Sequence, residues 1–166
     1  MSGQEGGTCP DRRWIPLFSL TIEYAMRAMV ALAAGGGQSM TTRQIADTMK
    51  VPQSYLSKVL QSLVRAGLVF STRGLKGGFV LARAPEELNM MEILNAVSPY
   101  KRIETCPLDM DEHGSDLCPL HRRLDAAMGM VQDAFEGTTL AEILSDDNPC
   151  PTLQTQLAKL EPRKPE

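Results

Sequence analysis

Aromatic side chains make up only 5% of this 166-residue chain, with a single tryptophan among them. With 43% of residues hydrophobic, a core has to be built from aliphatic side chains and methionine, a composition that suits packed helices. No apolar run approaches the roughly 18 residues that a membrane-crossing helix needs. The first residues, MSGQEGGTCPDRR, lack the charged-then-apolar order of a secretory signal. The expectation is a cytoplasmic protein without membrane contact. Four cysteines are too few for a disulfide scaffold in a chain of this length, which leaves metal binding, redox chemistry or plain burial as their roles. No internal repeat is present, and no nucleophile–base pair or metal-water motif stands out, so an enzyme is not expected. Nor is there any overall excess of positive charge: the formal net charge is −3.

That sum averages two unlike regions. Residues 1–41 balance Arg12, Arg13 and Arg27 against Glu5, Asp11 and Glu23. Residues 42–84 carry Arg43, Lys50, Lys58, Arg65, Arg73, Lys76 and Arg83 against Asp47 alone, a net +6. Residues 85–166 hold seven basic and sixteen acidic groups, a net −9. A compact basic stretch before an acidic half fits one module that meets phosphates and another that does not.

Residues 1–17 are rich in glycine and polar groups and read as a disordered tail. From Leu20, apolar residues Ile22, Ala25, Met26, Met29, Val30 and Ala33 recur at steps of three and four, as in an amphipathic helix. Gly35-Gly36-Gly37 stops it. Thr41 or Thr42 can cap a short helix burying Ile45, Ala46 and Met49. Val51-Pro52 breaks the chain, because proline disfavours helical geometry in the residue before it. A third helix, from Gln53 or Ser54, turns Leu56, Val59, Leu60 and Leu63 inward and ends at Gly67. Two short helices about a turn of roughly three or four residues have the dimensions of a helix-turn-helix. The second exposes Ser54, Tyr55, Ser57, Lys58, Gln61 and Arg65, and Thr42 opens the first. Hydroxyls and cations suit phosphates, while Gln, Lys and Arg suit base edges.

Leu68-Val69-Phe70 and Phe79-Val80-Leu81 are strand signals around STRGLKGG. Gly74, Gly77 and Gly78 are expected to supply positive-φ turn conformations, with Arg73 and Lys76 at the tip. A cationic hairpin after a helix-turn-helix is a winged-helix arrangement. The rival reading, a nucleotide phosphate cradle, fails the spacing of both the P-loop and the dinucleotide fingerprint.

After Pro85, EELNMMEILNAV reads as a short helix through Leu88, Met91, Ile93, Leu94 and Val97. Residues 98–118 form a long polar loop, a candidate functional segment. From Pro119, Leu120, Leu124, Ala127 or Met128, Val131 and Phe135 make a narrow, heptad-like stripe suited to a partner helix. Thr139 and Glu142 have the spacing of a capping box, and the chain from 146 onward reads as a flexible tail. Cys106 and Cys118 share the loop, and His121 lies three residues beyond Cys118. Thiolates suit zinc or iron–sulfur clusters, and imidazole suits the more oxidised iron of a two-iron cluster.

Taken together, SLTIEYAMRAMVALA, QIADTMKVPQSYLSKVLQSLVRAGLV, STRGLKGGFVLARAPEELNMMEIL and CPLDMDEHGSDLCPLH resemble the Rrf2 family of winged-helix repressors, over about residues 18–145. The resemblance implies a mainly α fold with a small β-hairpin wing, formed by a winged helix-turn-helix (18–84) with a cofactor loop and long C-terminal dimerisation helix (85–145), followed by the tail at 146–166. It implies a homodimer on a palindromic double-stranded DNA operator, controlled in some members by a metal cofactor. The family pattern has three loop cysteines, whereas the middle position here falls near Asp111, Glu112 and His113. A two-iron cluster (2Fe-2S) on Cys106 and Cys118 then needs other ligands, and His121 and Glu23 are the candidates, Glu23 acting across the dimer. A metal-free regulator responding to a small molecule or to thiol oxidation stands as the alternative. Glu23 could instead pair with Arg27 one turn on.

Overall fold

The computed structural model describes residues 17–74, 77–107, 117–145 and 155. The segments expected as tails, 1–17 and 146–166, lie outside them except for Leu17 and Thr155, and so does Lys76, which was expected at the wing tip.

Helix α1 (Leu20–Ala34) is the centre of the molecule. A one-sided apolar stripe was expected, yet Ala25, Ala28, Met29, Ala31 and Leu32 are all essentially inaccessible. The helix is enclosed because its alanines let neighbours approach from several directions. α2 (Thr42–Met49), α3 (Gln53–Arg65), α4 (Met90–Val97) and α6 (Leu140–Leu144) all pack against it.

Thr41 caps α2, its hydroxyl accepting from the Gln44 backbone N–H while the Gln44 side chain returns to the Thr41 N–H. The turn into α3 is Lys50-Val51-Pro52, and Lys50 adopts φ 54° and ψ 43°, the left-handed conformation usually left to glycine. α3 buries Leu56, Val59, Leu60 and Leu63, as its periodicity predicts.

β1 (Val69–Thr72) and β2 (Gly78–Leu81) form the antiparallel hairpin, with Val69 opposite Leu81 and Thr72 opposite Gly78. The wing is fastened at its far side by Met40 and Phe79, which exchange backbone hydrogen bonds of 2.9 and 2.8 Å. Two of its glycines act otherwise than expected. Gly74 alone of the three has a positive φ, 115°. A Cβ on Gly77 would stand 2.6 Å from the Thr72 carbonyl oxygen, and one on Gly78 2.6 Å from that of Met40. Those two are needed for close backbone approach.

The helix expected across 86–97 divides into a 3-10 turn (Pro85–Glu87) and α4, because Asn89 caps α4 in a capping box with Glu92. α5 (Pro119–Glu136) is the long helix, and α6 follows it behind the capping box of Thr139 and Glu142. The two capped starts meet: the Met90 N–H donates to Thr138 and the Leu140 N–H to Leu88, each at 3.0 Å. Leu88, Ile93 and Leu140 thereby enter the same core as α1–α3, which runs across the expected boundary at 84/85. No described helix is long and apolar enough to cross a membrane.

Leu140 is fully buried at the end of that return, so Leu140→Ala is expected to cost about 2–5 kcal/mol by urea denaturation. A loss under about 0.5 kcal/mol, the range of ordinary surface substitutions, would show that α6 is not docked.

Candidate functional site

Two surfaces carry the candidate residues. On the first, inward Leu56, Val59, Leu60 and Leu63 turn the opposite face of α3 to solvent. Ser54, Tyr55, Lys58, Gln61 and Arg65 are exposed along that face. Ser57 is half-buried and spends its hydroxyl on the Gln53 carbonyl of its own helix (3.0 Å). Arg65 is steadied by Ser62 at 3.2 Å. Tyr55 meets Tyr24 of α1 edge-on, with ring centroids 6.3 Å apart. Thr21, Tyr24, Tyr55, Lys58 and Ser62 line a shallow groove between the two helices. Thr21 and Tyr24, which periodicity assigns only to a packing helix, thus border the outward face of α3.

Arg73 is exposed at the end of β1. Thr42 is half-buried at the first position of α2, since Thr41 makes the cap. Gly77 and Gly78 are accounted for by backbone packing, as described above. Lys58, Arg65 and Arg73 are exposed cations.

The second surface lies at the start of α5. Cys118 occupies the N-cap position, Pro119 opens the helix, and His121 follows within the first turn. The thiol of Cys118 is 3.2 Å from His121 Nδ1, and that of Cys106, arriving from the loop, is 3.5 Å from the same nitrogen. The three donor atoms lie within 4.8 Å of one another. Cys106 and His121 are half-buried, and Cys118 is the most enclosed of the three. The Cys118 thiol is held below its ordinary pKa, chiefly by the backbone N–H of His121, with Cys106, the Leu120 N–H and Arg122 adding to the effect against desolvation. Its sulfur makes no capping hydrogen bond, so the N–H groups act as the positive end of the helix rather than as a formed cap. Two thiolates and one imidazole are a donor set fitted to zinc or iron–sulfur chemistry.

Glu23 does not join this group within one chain. Its carboxylate pairs with Arg27, the alternative weighed from sequence. What sequence missed is the other hand of Arg27, which donates to the Met49 carbonyl at 3.2 Å, at the end of α2. That contact joins residues 22 positions apart, out of reach of any local pattern.

α5 is covered on one side only, and Gly129 is its only buried residue. Leu120 and Leu124, one turn apart on the expected stripe, are 62% and 47% exposed; Met130, 68% exposed, lies on another side of the helix. Phe135, expected on that stripe, turns inward instead and stacks on Phe18 at 5.2 Å.

The family model described as Rrf2, iron-dependent transcriptional regulator, matches residues 18–146. An HTH-type transcriptional regulator of Aquifex aeolicus is 30% identical over 132 residues, covering 78% of this chain and 92% of that protein. The HTH-type transcriptional regulator NsrR of Bacillus licheniformis is 26% identical over 129 residues, covering 76% and 90%. Among solved structures, CymR, the global cysteine regulator of B. subtilis, matches with a TM-score of 0.64 at 28% identity, over 79% of this chain and 98% of that one. The matched relatives are regulators, not enzymes.

Because peptide N–H groups stabilise the Cys118 thiolate, iodoacetamide should alkylate Cys118 with a pH midpoint below the ordinary thiol value of 9.0. His121→Ala keeps the N–H and should preserve most of the shift. A midpoint at the ordinary thiol value would remove the helix N-terminus as its cause.

Proposed function

We propose how this chain, which belongs to the Rrf2 family of transcriptional regulators, reads DNA and senses its signal. It acts as a homodimeric repressor on a palindromic double-stranded operator. Each α3 enters a major groove, with Ser54, Tyr55, Lys58, Gln61 and Arg65 facing the DNA. Ser57 and Thr42 lie at the margins of that face, and Arg73 and Lys76 carry the wing to the backbone beside Gly77 and Gly78. The exposed Leu120 and Leu124, one turn apart on the apolar stripe of α5, support pairing with a second copy, since such a stripe is seldom left to water. Two-fold pairing sets the two reading helices about one helical turn apart, roughly 34 Å.

The single observation that carries the sensing proposal is the convergence of Cys106, Cys118 and His121 within 4.8 Å. These residues would hold an iron–sulfur cluster of the 2Fe-2S type, with Glu23 of the partner subunit as the fourth ligand. When bound, the cluster supplies an iron centre whose redox state and integrity respond to oxidants, iron supply or nitric oxide. The chain's own residues do the rest. Arg27 holds Glu23 with one nitrogen and the Met49 carbonyl with another. Recruitment of Glu23 as a ligand therefore changes what steadies the end of α2, immediately before the Lys50-Val51-Pro52 turn into α3.

A second reading is favoured by the same two thiols: a metal-free regulator in which Cys106 and Cys118 respond to thiol oxidation. Anaerobic purification with iron and sulfide analysis separates the two. The first predicts a coloured protein whose visible absorption is lost in Cys106→Ala and Cys118→Ala. A colourless, iron-free protein with full operator affinity eliminates it and leaves the second. For the DNA face, Lys58→Ala and Arg73→Ala should each weaken binding and lower the slope of log affinity against log salt by about one. Gel shifts at several salt concentrations with unchanged affinity would displace the proposed face.

A further inference from the structure

Cys106 comes from a loop, whereas Cys118 and His121 are carried by α5, so something must bring the loop to the helix. The segment before Cys106 is laid along α5 and tied to it repeatedly. The Tyr100 hydroxyl donates to the Met128 carbonyl at 2.8 Å. Arg102 grips Asp125 with both arms of its guanidinium, Nε to Oδ1 at 2.6 Å and Nη2 to Oδ2 at 2.5 Å. The Ile103 backbone N–H adds a third bond to the same carboxylate at 3.0 Å. The guanidinium lies against Gly129, where a Cβ would stand 2.8 Å from Nη1 and 3.1 Å from Cζ. This explains a buried glycine in the middle of the helix.

The spacing gives these ties a purpose. His121, Asp125 and Gly129 follow one another at intervals of four, so they share one face of α5. The segment runs along that face toward the helix start, with Arg102 over Asp125 and Gly129, Ile103 at Asp125, and Cys106 at His121. Ile103 and Cys106 are three residues apart, a tether of at most about 10 Å, against a helical rise from Asp125 to His121 of about 6 Å. Anchoring at Asp125 therefore confines the Cys106 thiol to the neighbourhood of His121. The charge pair agrees with the geometry, since Asp125 is held below and Arg102 above its ordinary pKa, each first by the bond to the other.

The geometry points to the Arg102–Asp125 pair, seated on Gly129, as the positioning device that brings Cys106 to Cys118 and His121. The inference rests on the reading that these three are the sensory donors. Neither Arg102 nor Asp125 ligates anything. Their role is to hold a loop donor in register with two helix donors, and Gly129 leaves the space in which the guanidinium fits.

The test measures thiol proximity and needs no metal. Dibromobimane becomes fluorescent only when both of its arms react, so it reports two thiols close together. The full chain with Cys9→Ser and Cys150→Ser is treated with it under a chelator and without oxygen. The parent should bridge Cys106 to Cys118 readily. Asp125→Ala, which removes all three bonds to the carboxylate, should slow bridging roughly tenfold, the scale of a charge-assisted bidentate pair. Gly129→Val should act in the same direction by displacing Arg102. Arg102→Lys keeps the charge without the fork and should fall between. Each variant should keep the parent's far-ultraviolet circular dichroism at the assay temperature, which shows that slower bridging comes from a folded chain. Equal bridging in the parent and all three variants overturns the positioning role and leaves the three-donor reading standing. Failure of the parent itself to bridge overturns that reading, and this inference with it.

Discussion

The structure depends on the enclosure of α1. A helix packed on one side can serve one neighbour, but α1 presents alanine at positions 25, 28, 31 and 33, all buried, and serves four other helices. Small side chains let backbones approach closely, and the larger Met29 and Leu32 fill the space between them. The helix-turn-helix, the wing and the return of α6 take their places relative to one another through this rod. With close packing on several sides, a shift of α1 cannot be absorbed by one neighbour alone.

The polar groups of α1 sit at the margins of that packing. Glu23 and Arg27 emerge near the end of α2, where Arg27 reaches the carbonyl of Met49. Tyr24 emerges beside Tyr55 of α3. One helix thus borders both the turn of the DNA-reading motif and its outward face. α5 differs in kind. It is long, covered on one side only, and tied to the segment 100–103 and, through Phe135, to Phe18. Its start holds Cys118 and His121, and its side holds the anchor for the loop that brings Cys106.

Much of this was legible in the sequence because it is local. Helical periodicity found α1, α3 and α5, and the Thr139–Glu142 spacing found the start of α6. Asn89 escaped because the apolar run continues smoothly from Leu88 into Met90 and Met91, and only the side-chain exchange with Glu92 marks the break. The Cys106, Cys118 and His121 group was also visible, since Cys118 and His121 are one helical turn apart and thiols and imidazole share a chemistry. Arg102, Asp125 and Gly129 were not singled out. Each looks ordinary alone, and they form a unit only when a loop folds back across 23 positions.

By itself, then, the sequence determined the winged helix-turn-helix, the direction in which α3 faces and the donor set at the start of α5. These follow from residue spacing and side-chain chemistry, which act over a turn or two. Only the tertiary structure decided that α1 is buried nearly all round, that Gly77 and Gly78 make room for backbone, and that Phe135 turns inward. It also decided that Arg27 joins Glu23 to α2 and that Asp125 holds the loop of Cys106. Each of those contacts is made across space by groups distant in the chain, where the packing of the whole fold selects the partner.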